Sequence, residues 1–132
     1  MAWKVERDAD HGFIHTIYSG IVTKNDIIDS LTETLKILSG KGPQKFLSEW
    51  IDATSTLTTT EIYAIPDEWE TSDINRGSVL ALVIQNKPQS HQDAKFYENT
   101  CVNRGWRVRI FTNRNDAVEW LVRQKIADVN QA

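Results

Sequence analysis

Three histidines, one cysteine and a scatter of carboxylates, amides and hydroxyls are the side chains of this sequence that could do chemistry. His11, His15 and His91 are not spaced as ligands of one metal, and the sequence holds no GxSxG, GxGxxG, phosphate-loop or HExxH motif. No ready-made enzyme emerges and no cofactor is implied. The lone Cys101 excludes an internal disulfide and a multi-cysteine zinc site, which fits a reducing, cytoplasmic compartment. It reads as a small core residue rather than a nucleophile.

The remaining polar candidates lie at the predicted ends of strands. In an open α/β sheet, ligands bind beyond the carboxyl ends of the parallel strands. Here those ends supply Asp52, Asn86 and Asn113, each of which also has a plainer role as a strand terminator or helix cap. Thr58, Thr59 and Thr60 form a hydroxyl-rich run before Glu61, and a phosphate on Thr58 or Thr60 would gain from a following helix N-terminus. Trp69 sits in an acidic segment beside Pro66, with no helical stripe of its own. It is either a partner surface, a lid over an apolar cavity, or a side chain packed back on the domain.

The 132 residues suit one domain with one core, spanning 1–132, and 40% hydrophobic with 25% charged residues is a globular composition. No run approaches the roughly 18 apolar residues of a membrane helix, and the first ten residues lack a leader's basic start and apolar run. A net charge of −3 argues against broad nucleic-acid binding. Arg104, Trp106, Arg107 and Arg109 interleave charge and ring, but read as an edge strand guarded by outward charges.

The elements that must position these residues follow from periodicity and capping. Trp3 to Val22 reads as a hairpin turning at Asp8 to Gly12. Thr23 with Asp26 opens a helix whose stripe is Ile27, Ile28, Leu31, Leu35 and Leu38, ending near Ser39 and Gly40. Phe46 to Asp52 reads as a strand closed by Asp52. From Glu61 to Ile65 there is a helical turn broken by Pro66. Val79 to Ile84 is apolar throughout, as in a strand buried on both faces. Ser90 with Asp93 opens a helix burying Ala94, Tyr97 and Cys101 and stopping at Gly105. Val108 to Phe111 is the last strand, and Asn113 with Asp116 opens a last helix bearing Ala117, Trp120 and Leu121. Trp50 and Trp120 fall in core-like patterns. The alternation demands crossovers, hence an α/β fold with a mixed, mainly parallel sheet of about five strands, an N-terminal antiparallel hairpin and helices packed on it.

This order resembles the STAS-type fold and its SpoIIAA-like branch, named for the sporulation anti-anti-sigma factor. The resemblance rests on Gly20, Ile21, Val22, Thr23 and Asp26 at the entry to the first helix, on Ile51 and Asp52, on Val79 to Ile84, and on Phe111, Ala117, Trp120 and Leu121 in the ending. It implies a non-enzymatic regulatory or protein-interaction module, acting with a protein partner or as a homodimer. The branch is similar in sheet architecture to Sec14-type lipid-transfer domains, which implies a second reading, a carrier or sensor of a small apolar or lipid-like molecule. That molecule would lie between the sheet and the Glu61 to Asn75 segment. Regulatory STAS proteins carry a phosphorylatable serine in an Asp-Ser-Ser-Gly-like turn, and this sequence departs from that pattern at Thr58, Thr59, Thr60 and Glu61.

Overall fold

In the computed structural model, which describes residues 2–38, 40, 42–72 and 74–126, the hairpin comes first. β1 (Trp3–Arg7) pairs antiparallel with β2 (Ile14–Val22), and the turn is closed by Gly12 N–H donating to the Asp8 carbonyl at 2.7 Å. The chain then alternates: α1 (Lys24–Ile37), β3 (Lys45–Ser55), α2 (Thr59–Thr71), β4 (Val79–Val83), α3 (Pro88–Asn103), β5 (Arg107–Phe111) and α4 (Arg114–Arg123). The five strands lie in the order β1-β2-β3-β4-β5, with every pairing after the first parallel. The mixed, mainly parallel sheet expected from the sequence is the one observed.

The pleat sends alternate side chains to two separate cores. On one face Ile14, Tyr18, Phe46, Leu82 and Ile84 meet Ile27 and Leu31 of α1, Ile62 and Ile65 of α2, and Ala94, Tyr97 and Cys101 of α3. On the other, Phe13, Leu47, Val79, Ala81 and Val83 meet Ala117 and Leu121 of α4. Three helices therefore share one face and a single helix occupies the other. Arg107 and Arg109 stand exposed along β5, an edge strand, as the guarding-charge reading requires.

Four local expectations are corrected. Asp52 does not close β3, which continues to Ser55. Between Ile17–Glu49 and Ser19–Asp52 the pairing advances two residues in β2 but three in β3, a bulge that admits the extra residue and carries the ladder past Asp52. Gly20, at φ +68°, takes the left-handed conformation beside this irregularity that a side chain would disfavour. Pro66 does not break α2. The helix runs through it, and the ring is fully buried, so packing offsets the backbone hydrogen bond that proline cannot donate.

Ser90 does not cap α3. Pro88 begins that helix after Lys87, because proline needs no N–H partner in a first turn. The buried stripe of α1 runs through Ile27, Ser30, Leu31 and Thr34 rather than out to Leu35, which is exposed. The caps at Thr23–Asp26 and Asn113–Asp116 form as expected.

α4 is held by two things. Ala117 and Leu121 are both 0% exposed, whereas Trp120 is only half-buried and tilts against Phe111 at 5.6 Å, so the anchor is Leu121 rather than Trp120. At its start, Arg114 makes a two-pronged ion pair with buried Glu49 on β3, with Nη2 donating to Oε2 at 2.9 Å and Nε donating to Oε1. His15 Nε2 lies 3.1 Å from the same Oε1 without the alignment of a hydrogen bond. Burial alone would raise the Glu49 carboxyl, but the Arg114 hydrogen bonds and the nearby His15 outweigh it and hold its pKa below the ordinary carboxylate value.

Two outcomes follow for stability. Leu121→Ala should cost about 2–5 kcal/mol in denaturant unfolding, and Trp120→Ala distinctly less. Because Glu49 titrates lower when folded, its contribution is present above the unfolded value of about 4.3 and is lost as pH falls through the folded value. Urea unfolding followed downward from about pH 5 should therefore show a shallower loss of stability in Glu49→Gln than in the wild type.

Candidate functional site

α1 packs on β1 and β2, while α3 packs on β5 and against α2, and the middle of that sheet face is left between them. A cavity of about 320 Å³ occupies this space, within the range of small-molecule pockets. Its floor is the sheet: Thr16 and Tyr18 of β2, Phe46, Ser48 and Trp50 of β3, Leu80 and Leu82 of β4. Its walls are Ile27, Leu31 and Thr34 of α1, Ile62, Ile65 and Trp69 of α2, and Ala94 and Tyr97 of α3. The bulge in β3 lets Trp50 and, three residues on, Ala53 both line the same space.

Aromatic rings shape it. Tyr18 stacks on half-buried Trp50 with centroids 4.3 Å apart, and Phe46 meets Trp69 at 6.1 Å. The polar atoms of these rings are paired inside the protein. Trp69 Nε1 donates to Tyr97 Oη at 2.9 Å, and Trp50 Nε1 donates to Ser48 Oγ at 3.1 Å. Ser30 Oγ donates to the Ile27 carbonyl at 2.8 Å, so in its 2.7 Å contact with Tyr18 the tyrosine is the donor. Burial pushes the Tyr18 phenol up to about 12 and the Tyr97 phenol well above its usual value, so both stay neutral near pH 7. Cys101, behind Tyr97, is also pushed up to about 12 by burial, which makes it a packed thiol rather than a nucleophile.

Of the residues singled out in the sequence, Trp69 lines the cavity. It belongs to a regular helix, is half-buried, and both packs back on the core and borders the open space. Asp52, Asn86 and Asn113 are not among the lining residues. Asp52 is exposed within β3, Asn86 Oδ1 lies 2.9 Å from His91 Nε2, and Asn113 caps α4. Thr58 caps α2, its Oγ1 accepting from Glu61 N–H at 3.1 Å, and Thr60 is exposed in the first turn. Sequence reasoning missed Tyr18, Ser48, Trp50 and Tyr97 as site residues. The signal available was the alternation itself, which puts Thr16 between Ile14 and Tyr18 and Ser48 between Phe46 and Trp50 on one strand face.

No protein-family model matches the sequence. No curated protein matches it either. Among solved structures it is similar to an uncharacterized protein from the DUF3478 family with a SpoIIAA-like fold from Shewanella loihica PV-4. The TM-score is 0.62 at 16% identity, covering 91% of this chain and 92% of that one. The fold is SpoIIAA-like. Among the described residues no helix is long and apolar enough to cross a membrane.

The Trp69–Tyr97 hydrogen bond ties the α2 wall to α3. A double-mutant cycle with Trp69→Phe and Tyr97→Phe, read by denaturant unfolding, should return a coupling of about 1 kcal/mol. Additive effects would show that the contact does not link the two helices.

Proposed function

We propose that this SpoIIAA-like module binds a small apolar molecule between its sheet and the helices α1, α2 and α3, and serves as a carrier or sensor of it. The observation that carries this reading is the cavity itself: some 320 Å³ of space bordered by Tyr18, Phe46, Trp50 and Trp69 in the middle of the face where a core would ordinarily close. A filled core of the same side chains would gain dispersion contacts that the open space forgoes. An apolar ligand restores them.

The cavity puts this reading ahead of a protein-partner or homodimer role. The exposed large apolar side chains, Ile21, Leu35, Ile51, Tyr63, Val102 and Val122, are spread over β2, α1, β3, α2, α3 and α4, and Tyr63 lies under the Arg104 guanidinium at 4.9 Å. Phosphorylation of Thr58 would place a phosphate on the Oγ1 that caps α2, where the helix N-terminus favours it, while Thr60 offers an exposed hydroxyl on the same helix. Either would be a control on the helix that walls the cavity.

Titration with a neutral apolar dye, 1-aminoanthracene, tests the proposal through dye emission and quenching of Trp50 and Trp69. Wild type should bind it saturably. Ala53→Phe, which fills the buried end, and Ile28→Trp, at a half-buried wall position, should each weaken binding at least about tenfold, with thermal melts confirming that both remain folded. Absence of binding by the wild type, or undiminished binding by both folded variants, would exclude the cavity as the site.

A further inference from the structure

The floor of the cavity has a polar seam. Thr16 of β2 and Ser48 of β3 are direct neighbours in the parallel ladder, and both line the cavity. Leu82 of β4 is the next partner in the same row, and the flanking rows present Phe46, Leu80 and the stacked Tyr18–Trp50 pair. Both residues are half-buried and border the open space, where an occupant would meet their hydroxyls.

A hydrogen-bond count sharpens the point. Tyr18 donates to Ser30, Ser30 to the Ile27 carbonyl, and Thr34 to the Ser30 carbonyl at 2.8 Å, so those donors are spent. Ser48 Oγ accepts from Trp50 Nε1, but its own hydrogen meets no acceptor among the described residues, nor does that of Thr16. The floor therefore offers two unspent hydroxyl donors that a ligand oxygen can accept from.

Charge narrows the choice of acceptor. The acidic and basic side chains lining the cavity are half-buried Glu68 and Asp93 and exposed Lys87, two acids against one base. A carboxylate drawn down to the floor would lose its hydration with no buried cation to replace it, a cost far above that of burying a neutral carbonyl. The stacked and tilted ring pairs at Tyr18–Trp50 and Phe46–Trp69 present faces and edges suited to a planar partner.

We infer that the cavity selects a neutral, ring-bearing molecule with a carbonyl or ether oxygen, which accepts hydrogen bonds from Thr16 and Ser48, over a fatty acid or other carboxylate. This rests on the cavity being a ligand site and specifies what enters it.

Displacement of 1-aminoanthracene by three compounds of similar shape tests the selection: 2-acetylnaphthalene, 2-isopropylnaphthalene and 2-naphthoate at pH 7.5. The ketone should displace the dye at about tenfold lower concentration than the hydrocarbon, the scale of one or two net hydrogen bonds. The naphthoate should be the weakest. In Thr16→Val/Ser48→Ala the ketone's advantage should fall below about twofold while the hydrocarbon binds as before, which also shows that the variant is folded. The selection is overturned if the naphthoate matches the ketone, if ketone and hydrocarbon are equal in the wild type, if the advantage survives the double substitution, or if the dye binds but none of the three displaces it. In each of those cases the cavity remains a site for apolar molecules. If the dye itself does not bind, the ligand reading falls and the selection with it.

Discussion

The handedness of β-strand crossovers governs most of what this molecule contains. Strands β2, β3, β4 and β5 run parallel and lie side by side in chain order. A right-handed connection between each successive pair must place its helix on the same side every time. So α1, α2 and α3 share one face, and only α4, which follows the last strand, reaches the other. A sheet of five strands spaced about 4.8 Å apart is roughly 20 Å across, while three helices of about 10 Å each need more. They cannot all lie flat on it. α2 packs its backbone on α3 rather than on the sheet and reaches the floor through side chains such as Trp69. The space beneath is the cavity, which is thus a consequence of topology before it is a consequence of any one residue.

The sequence revealed those parts whose physical cause is local. Thr23 with Asp26 and Asn113 with Asp116 announce α1 and α4 because a cap acts within one turn, and Val79 to Ile84 announces a buried strand because every position is apolar. It misled where a tertiary term overrode a local one. Pro66 reads as a helix breaker, yet full burial keeps it inside α2. Asp52 reads as a strand end, yet the bulge lets pairing continue to Ser55. Ser90 reads as a cap, yet Pro88 two residues earlier already starts the helix. The cavity was the least legible feature because its lining is gathered from separate strands and helices and no window of sequence contains it. Trp69 could be singled out only because nothing in its own segment accounted for it.

The two faces of the sheet have opposite electrostatic character. Above the sheet, the buried ionisable groups are phenols and a thiol held neutral by burial. Below it, a carboxylate is held ionised by a guanidinium and lies near an imidazole, under the start of α4. The neutral side suits apolar occupants. The ionic side spends its charge on docking one helix.

Those two environments are separated by a single step along β3, where Ser48, Glu49 and Trp50 point up, down and up in turn. Sliding the strand by one residue against its neighbours would exchange the faces. Glu49 would then enter the apolar space with no cation, Arg114 would lose its partner, and Trp50 would be driven under α4. A misthreaded chain is therefore penalised at three places by one error. The glutamate that takes no part in the cavity is, in this sense, a proofreading mark that makes the cavity's floor assemble in one alignment.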